Sequence, residues 1–151
     1  MKKEIAQFIK EHKIATICCT DSNNDPYCFH CFYAFDEKNY LLFFKSSLQT
    51  HHSKLLLKNP QIAGSILPEK IELMALKGIQ LCGKVLYDGF PEHIVPDVYY
   101  HKKFPFALVK PGHVWCVELE RVKMTDNTYV FGGKLNWDKN AAPVSGAKTL
   151  V

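Results

Sequence analysis

The sequence lacks long hydrophobic runs, runs of like charge and any repeated or low-complexity segment. No apolar stretch approaches the roughly 20 residues that a membrane-spanning helix needs, so we expect no membrane partner. The start, MKKEIAQFIKEH, is charged and lacks the apolar centre of a secretory signal. The formal net charge is +4 without a basic stripe, which disfavours nucleic acid as a partner and suits a phosphorylated small ligand.

The six cysteines occur in apolar segments that are typical of strands. Cys28 and Cys31 have the C-x-x-C spacing of zinc knuckles, with His30 between them, but residues three apart in a strand point to opposite faces. The adjacent Cys18 and Cys19 are separated in the same way. We therefore expect reduced thiols that pack in a core, no metal site, and a cytoplasmic location.

Hydrophobic periodicity predicts a mainly β protein of the α+β class. Nearly half of the residues (47%) are hydrophobic, which is enough for the core of one domain over 1–137, and the polar tail 138–151 is expected to be partly ordered at best. Short turns between strands favour an antiparallel barrel over a parallel βαβ sheet. The predicted helices are 2–12, 50–58 and 91–103, and the predicted strands are 14–20, 27–35, 40–45, 62–67, 78–87, 114–125 and a short 129–131.

The turn between the third strand and the second helix concentrates hydroxyls and imidazoles. The first N–H groups of a helix lack partners and carry partial positive charge, so such side chains added there can bind a phosphate. The alternative is that Ser47 or Thr50 only caps the helix. Two adjacent histidines diverge by about 100° on a helix and seldom share a metal, so anion contact or solvent exposure is favoured for them. The residues concerned are Ser46, Ser47, Thr50, His51 and His52.

The order of these elements resembles the pyridoxamine-5′-phosphate-oxidase-like family, whose members are FMN-binding split barrels. The resemblance rests on the helix, the three-strand meander, the Ser/Thr turn, and Asn59-Pro60 before the fourth strand. The stretch HKKFPFALVKPGHVWCVELERVKMTDNTYVFGGKLNW resembles a small bacterial branch of this family. The resemblance covers about residues 2–137. It implies an antiparallel split barrel of six to seven strands, and a homodimer with FMN at its interface.

The resemblance also implies which residues hold FMN. Ser46 and Thr50 match the phosphate-binding hydroxyls, while His51 and His52 stand where well-studied oxidases carry an Arg-Lys pair. Imidazoles hold a dianion less firmly than Arg and Lys, so Lys45 or Lys54 is expected to compensate. The other implied contacts are the isoalloxazine ring with Cys31, Phe32 and Tyr33, its polar edge with Gln80, and Lys134 and Trp137 from the partner subunit.

Three functional hypotheses remain open. FMN needs a phosphate clamp, an apolar wall and a few amide-like groups, and this chain offers each, so we expect an FMN-dependent oxidoreductase acting on an unknown small molecule. Pyridoxamine phosphate is not the expected substrate, because Arg121 is the only arginine and the arginine-rich tail of those oxidases has no counterpart. The second hypothesis is a non-catalytic binder of flavin, an F420-like cofactor or haem, with His30, His101 or His113 as haem ligand. The third is a structural dimer that has lost its cofactor.

Overall fold

The computed structural model describes residues 1–128 and 133–141, which form three α-helices, seven strands and two short 3₁₀ turns. The helices are α1 (Lys3–Glu11), α2 (His51–Leu56) and α3 (Pro96–Lys103), and the 3₁₀ turns are Leu73–Ala75 and Pro105–Val109. The strands are β1 (Ile14–Thr20), β2 (Pro26–Asp36), β3 (Leu41–Ser46), β4 (Gln61–Ile66), β5 (Lys77–Leu86), β6 (His113–Asp126) and β7 (Gly133–Asp138).

Six strands close into an antiparallel barrel, and the seventh extends it. The sheet order is β3-β2-β1-β4-β5-β6-β7, and the additional pairing of β3 with β6 closes the ring. β6 has two partners on one edge: residues 113–118 pair with β3, and residues 121–126 pair with β7. This change of partner splits the barrel along β6. The predicted mainly β split barrel is therefore confirmed.

Glycine allows two backbones to approach closely inside this barrel. The register of β5 and β6 shifts between Cys82 and Gly83, and a Cβ atom at Gly83 would collide with the Glu118 carbonyl oxygen. A Cβ atom at Gly64 would lie 2.6 Å from the Thr16 carbonyl oxygen. Both positions therefore require a residue without a side chain.

The barrel interior is filled by alternate residues of every barrel strand together with one face of α1 and α2. Tyr33 and Phe44 are fully buried there, as are Ile9 of α1 and Leu56 of α2. The Tyr33 hydroxyl donates to the Ile9 carbonyl oxygen at 2.7 Å, so it ties α1 to the barrel. Strand alternation along β2 thus places Tyr33 inside the barrel and the adjacent Ala34 outside it.

Helices of residues 1–128 and 133–141 cover part of the barrel exterior. α3 and the 3₁₀ turn after it pack on Leu41, Phe43 and Cys116 and form a second core. The other side carries a contiguous set of exterior residues, joined by the registers of β2 with β1, β1 with β4, and β4 with β5, and none of them has a formal charge when His30 is neutral. We call this set the open face: Ile14, Thr16, Cys18, Cys28, His30, Phe32, Ala63, Ser65, Gln80 and Cys82.

Three sequence-based predictions need correction or lie outside the described residues. Residues 91–95 are not helical, because α3 begins at Pro96, whose fixed φ suits the first helical turn. The predicted strand 129–131 lies outside the described residues, and β7 spans Gly133–Asp138. The expectation of reduced core thiols is wrong for Cys18 and Cys28, which lie outside the barrel and form a disulfide.

No helix in residues 1–128 or 133–141 is long and apolar enough to cross a bilayer. Within the same residues, no three or more His, Cys, Asp or Glu side chains are grouped in a way that would hold a metal ion.

Candidate functional site

The end of β3 and the start of α2 bring two hydroxyls and an imidazole together. Ser46 Oγ lies 2.6 Å from His52 Nε2 and 3.3 Å from Thr50 Oγ1. Thr50 has extended backbone and caps α2, because its Oγ1 accepts a hydrogen bond from the Ser53 N–H at 3.3 Å. We call Ser46, Thr50 and His52 the hydroxyl–imidazole cluster. The capping alternative is confirmed for Thr50, and phosphate binding by this cluster stays a prediction.

Aromatic residues of β2 hold both histidines in place. The His52 ring stacks on Phe29 with ring centres 3.8 Å apart and an angle of 10° between the planes. The His51 ring meets Tyr27 edge-on at 4.8 Å. Burial lowers the pKa of His52 below its ordinary value of 6.5, and the neighbouring His51 lowers this pKa further. His52 is therefore a neutral, positioned imidazole at neutral pH.

A groove of about 420 Å³ opens beside this turn. Ser47 and Gln49 form one wall, and Gly112 and His113 form the other. His113 is also the residue that pairs with Ser46 across β3 and β6. The turn therefore has a side that is accessible to a ligand.

Lys45 is not brought to the hydroxyl–imidazole cluster. Consecutive residues of a strand point to opposite faces, so Lys45 and Ser46 diverge. Lys45 Nζ lies 3.0 Å from His101 Nε2 and donates to the Ala107 carbonyl oxygen at 2.9 Å. Its ammonium group therefore holds α3 and the following 3₁₀ turn against β3.

The three predicted ring-lining residues of β2 separate between the two faces of the strand. Tyr33 lies inside the barrel, and burial raises its pKa. Cys31 is on the same side, and burial raises its pKa to about 12. Phe32 is on the exterior, 44% exposed, and packs against Phe104 with ring centres 5.5 Å apart. Of the three, only Phe32 belongs to the open face.

A second groove, of about 580 Å³, brings Gln80 and Trp137 together. Gln80 faces Lys123 across β5 and β6, and the half-buried Trp137 packs on Tyr40 with ring centres 4.6 Å apart. Arg121 also lines the groove. Lys134 is exposed on β7 and is not among the residues that line it.

Sequence reasoning missed Arg121 and Lys123 as members of this groove. Both are exposed and occupy alternate positions of β6, next to the buried Val122. The alternation in ERVKMT was the available signal, because it places the two cations on one face. Asn136 of β7, which faces Lys123, adds an amide to the same groove.

Solved structures of proteins with little sequence identity share this fold. A haem-binding protein from Mycobacterium smegmatis superposes with a TM-score of 0.72 at 14% identity, over 88% of this chain and 56% of that one. An FAD-binding protein from Mesorhizobium loti gives a TM-score of 0.63 at 13% identity, over 82% of this chain and 94% of that one. The haem storage protein HutZ from Vibrio cholerae gives 0.57 at 15% identity, over 79% and 89%. At these identities the likeness shows the fold alone.

Comparison of sequences shows the family. No family model matches the chain. A UPF0306 protein from Serratia proteamaculans is 33% identical over 138 residues, covering 91% of this chain and 95% of that protein. A UPF0306 protein from Yersinia pestis is 36% identical over 136 residues, covering 89% of this chain and 91% of that protein. The chain therefore belongs to the UPF0306 family.

Proposed function

We propose that this protein binds FMN and is a flavin-dependent oxidoreductase acting on a small molecule. The observation that carries the proposal is the hydroxyl–imidazole cluster, in which Ser46 Oγ lies 2.6 Å from His52 Nε2 and 3.3 Å from Thr50 Oγ1. The groove beside that turn, lined by Ser47, Gln49 and His113 among others, gives a ligand access to the turn. A split barrel shared with an FAD-binding protein supports the same class of ligand.

The cluster fits a phosphate group by its donors. Ser46 can donate its hydroxyl proton, and a protonated His52 can donate from Nε2, in place of the 2.6 Å contact that joins them now. A phosphate dianion would favour the charged imidazole and so raise the pKa of His52. Ser47 and His51 flank these two donors on the same turn. Short hydrogen bonds from charged donors to phosphate are the strong ones in such sites.

The second groove fits the ring of a flavin by its polar and aromatic lining. Gln80 and Asn136 offer amides, Trp137 offers an aromatic wall, and Arg121 offers a cation. Amide donors and a positive charge suit the polar edge of a flavin ring. Bound FMN would supply the hydride or electron transfer, and the protein residues would position the ring and exclude water.

A second copy of the chain is proposed to complete the site. Leu73 and Met74, in the 3₁₀ turn before β5, are each 92% exposed, which leaves large apolar side chains in water. Lys134, exposed on β7, would then extend toward the site of the partner. Analytical ultracentrifugation should show a dimer for the native chain and for the control Lys3→Glu, and a monomer for Leu73→Glu. A monomeric native chain would refute this part of the proposal.

Cofactor uptake tests the whole proposal. The purified protein should show the flavin absorbance band as isolated or after adding FMN and removing the excess. His51→Ala combined with His52→Ala should weaken FMN binding, whereas Lys45→Met should leave it unchanged, because Lys45 faces α3. Protein that takes up neither FMN nor an F420-like cofactor nor haem would support a structural dimer instead. Turnover with NADH or NADPH as electron donor would separate an enzyme from a carrier.

Haem is the second candidate, and the geometry of His30 favours it. His30 Nδ1 lies 3.1 Å from Thr16 Oγ1 on the open face. The other ring nitrogen, Nε2, is therefore the one that would bind the haem iron. Ligand histidines commonly hold their second nitrogen in such a hydrogen bond. His101 is less suitable, because its Nε2 contacts Lys45, and His113 packs edge-on against Trp115. A haem titration should then give a Soret band that His30→Ala abolishes and His113→Ala preserves.

A further inference from the structure

Cys18 and Cys28 form a disulfide between two neighbouring strands on the open face. The residues are directly opposite each other in the β1–β2 register, with Cα atoms 4.2 Å apart. This separation is that of a non-hydrogen-bonded antiparallel pair, in which side chains are closest. Cys28 is exposed and Cys18 is half-buried. Reagents in solution can therefore reach the bond.

The β1–β2 pairing keeps the two sulfur atoms close in both redox states. Seven residue pairs are in register along these strands, from Ile14 with Phe32 to Thr20 with Pro26. The backbone hydrogen bonds on both sides of Cys18 and Cys28 do not depend on the disulfide. Reduction therefore leaves two thiols facing each other, ready to reform the bond.

The other cysteines are poorly placed for this chemistry. Cys19 and Cys116 are buried, and burial raises the pKa of both thiols, which disfavours the reactive thiolate. Cys82 lies in the same row of the open face, but Ala63 pairs with Cys18 on one side and with Cys82 on the other. Two strand spacings of about 4.8 Å separate Cys18 from Cys82, which is too far for a disulfide.

We propose that Cys18 and Cys28 are a redox-active dithiol–disulfide pair that exchanges with small-molecule disulfides of the glutathione class. The Cys28 thiolate attacks one sulfur of the external disulfide, forms a mixed disulfide and releases one thiol, which takes up the proton that Cys28 lost. The Cys18 thiolate then attacks the Cys28 sulfur and releases the second thiol, which takes up the proton from Cys18. The two protein thiols together lose two electrons, and the external disulfide gains them and becomes two thiols. This activity goes beyond the proposed FMN site and does not depend on it.

A redox titration of the full chain tests the proposal. The protein is equilibrated in buffers with different ratios of reduced to oxidised glutathione, alkylated, and analysed by intact mass and peptide mapping. We expect one reversible two-electron transition that joins Cys18 to Cys28. The Cys82→Ser variant should show the same redox transition as the native protein. The Cys28→Ser variant should form no internal disulfide and should carry glutathione on Cys18. Circular dichroism of Cys18→Ala/Cys28→Ala should show that the barrel folds without the pair.

Three results would overturn the proposal. In the first, the two thiols stay reduced in oxidised glutathione alone. In the second, the disulfide stays oxidised in reduced glutathione alone. In the third, peptide mapping finds a disulfide that involves a different cysteine. The first result would mean that the pair does not react, and the second that the disulfide is only structural. Each result can be told apart from a failure of FMN binding, because no flavin is present in the titration.

Discussion

Replacement of His52 by phenylalanine is the sharpest test of the hydroxyl–imidazole cluster. Phenylalanine keeps an aromatic ring on Phe29, where the His52 ring now stacks at 3.8 Å, but removes the Nε2 atom that lies 2.6 Å from Ser46 Oγ. A hydrogen bond to a charged group contributes about 1.5–3 kcal/mol, so FMN affinity should fall by about 10- to 100-fold. His51→Phe, at the exposed neighbouring position, should cause a smaller loss.

The assay compares FMN with riboflavin by fluorescence quenching or calorimetry. Riboflavin has the same ring but no phosphate, so its affinity should be equal in native protein and His52→Phe. Inorganic phosphate should compete with FMN and should not compete with riboflavin. Equal FMN affinity in the two proteins would refute the assignment of phosphate to this cluster, and a parallel loss of riboflavin affinity would show that the variant damages the site as a whole.

The pH dependence follows from the pKa of His52. In the ligand-free protein this pKa is lowered by burial, so binding of a dianion must draw a proton onto the imidazole. FMN affinity should therefore rise as the pH falls from about 8 to 6.5, before the phosphate loses its second charge near pH 6. His52→Phe should remove this slope. A native protein with flat FMN affinity over that range would contradict the mechanism.

Three further predictions concern stability. Ligand-free protein should lose stability as the pH falls below 6.5, since His52 is neutral in the fold and charges more easily when unfolded. The difference between the denaturation midpoints of native protein and His52→Phe should be constant above that pH and should shift in favour of His52→Phe below it. Tyr33→Phe should destabilise the protein by about 1–2 kcal/mol, measured by urea unfolding, because it leaves the buried Ile9 carbonyl without its 2.7 Å donor. Gly83→Ala should cost about 1–3 kcal/mol because its Cβ meets a backbone oxygen, whereas Gly78→Ala should cost less, because the nearest atom is a flexible leucine methyl at 2.9 Å.

The strands were predictable because local patterns fixed them. β1 matches its predicted range, and β2 and β3 differ from theirs by one residue at each end, since alternation and turn residues act over short distances. β7 was missed as a strand because Leu135 and Trp137 are the only large apolar side chains in this short polar segment. The closure of β3 on β6 depends on contacts between residues far apart in sequence, so the short turns predicted a barrel but not which strands would close it.

The candidate site was predictable where its residues are adjacent in the chain. Ser46, Thr50 and His52 fall within one turn, so their proximity follows from local geometry. Lys45 or Lys54 was expected to add the charge that the histidines lack, but strand alternation directs Lys45 to α3. The disulfide between Cys18 and Cys28 was missed, because the spacing of cysteines along one strand gives their faces but not which residues of the neighbouring strand they oppose.

Capping and phosphate binding draw on different atoms of the same turn. The Thr50 hydroxyl has one proton, and both the Ser47 carbonyl oxygen at 2.9 Å and Ser53 Oγ at 2.8 Å can accept it. Its oxygen also accepts the Ser53 N–H, so this hydroxyl is fully used in starting α2. The contact between Ser46 and His52, in contrast, can be exchanged for a ligand without opening the helix. Thr50 therefore sets the shape of the turn, and the donors that a phosphate would meet are those of Ser46 and His52.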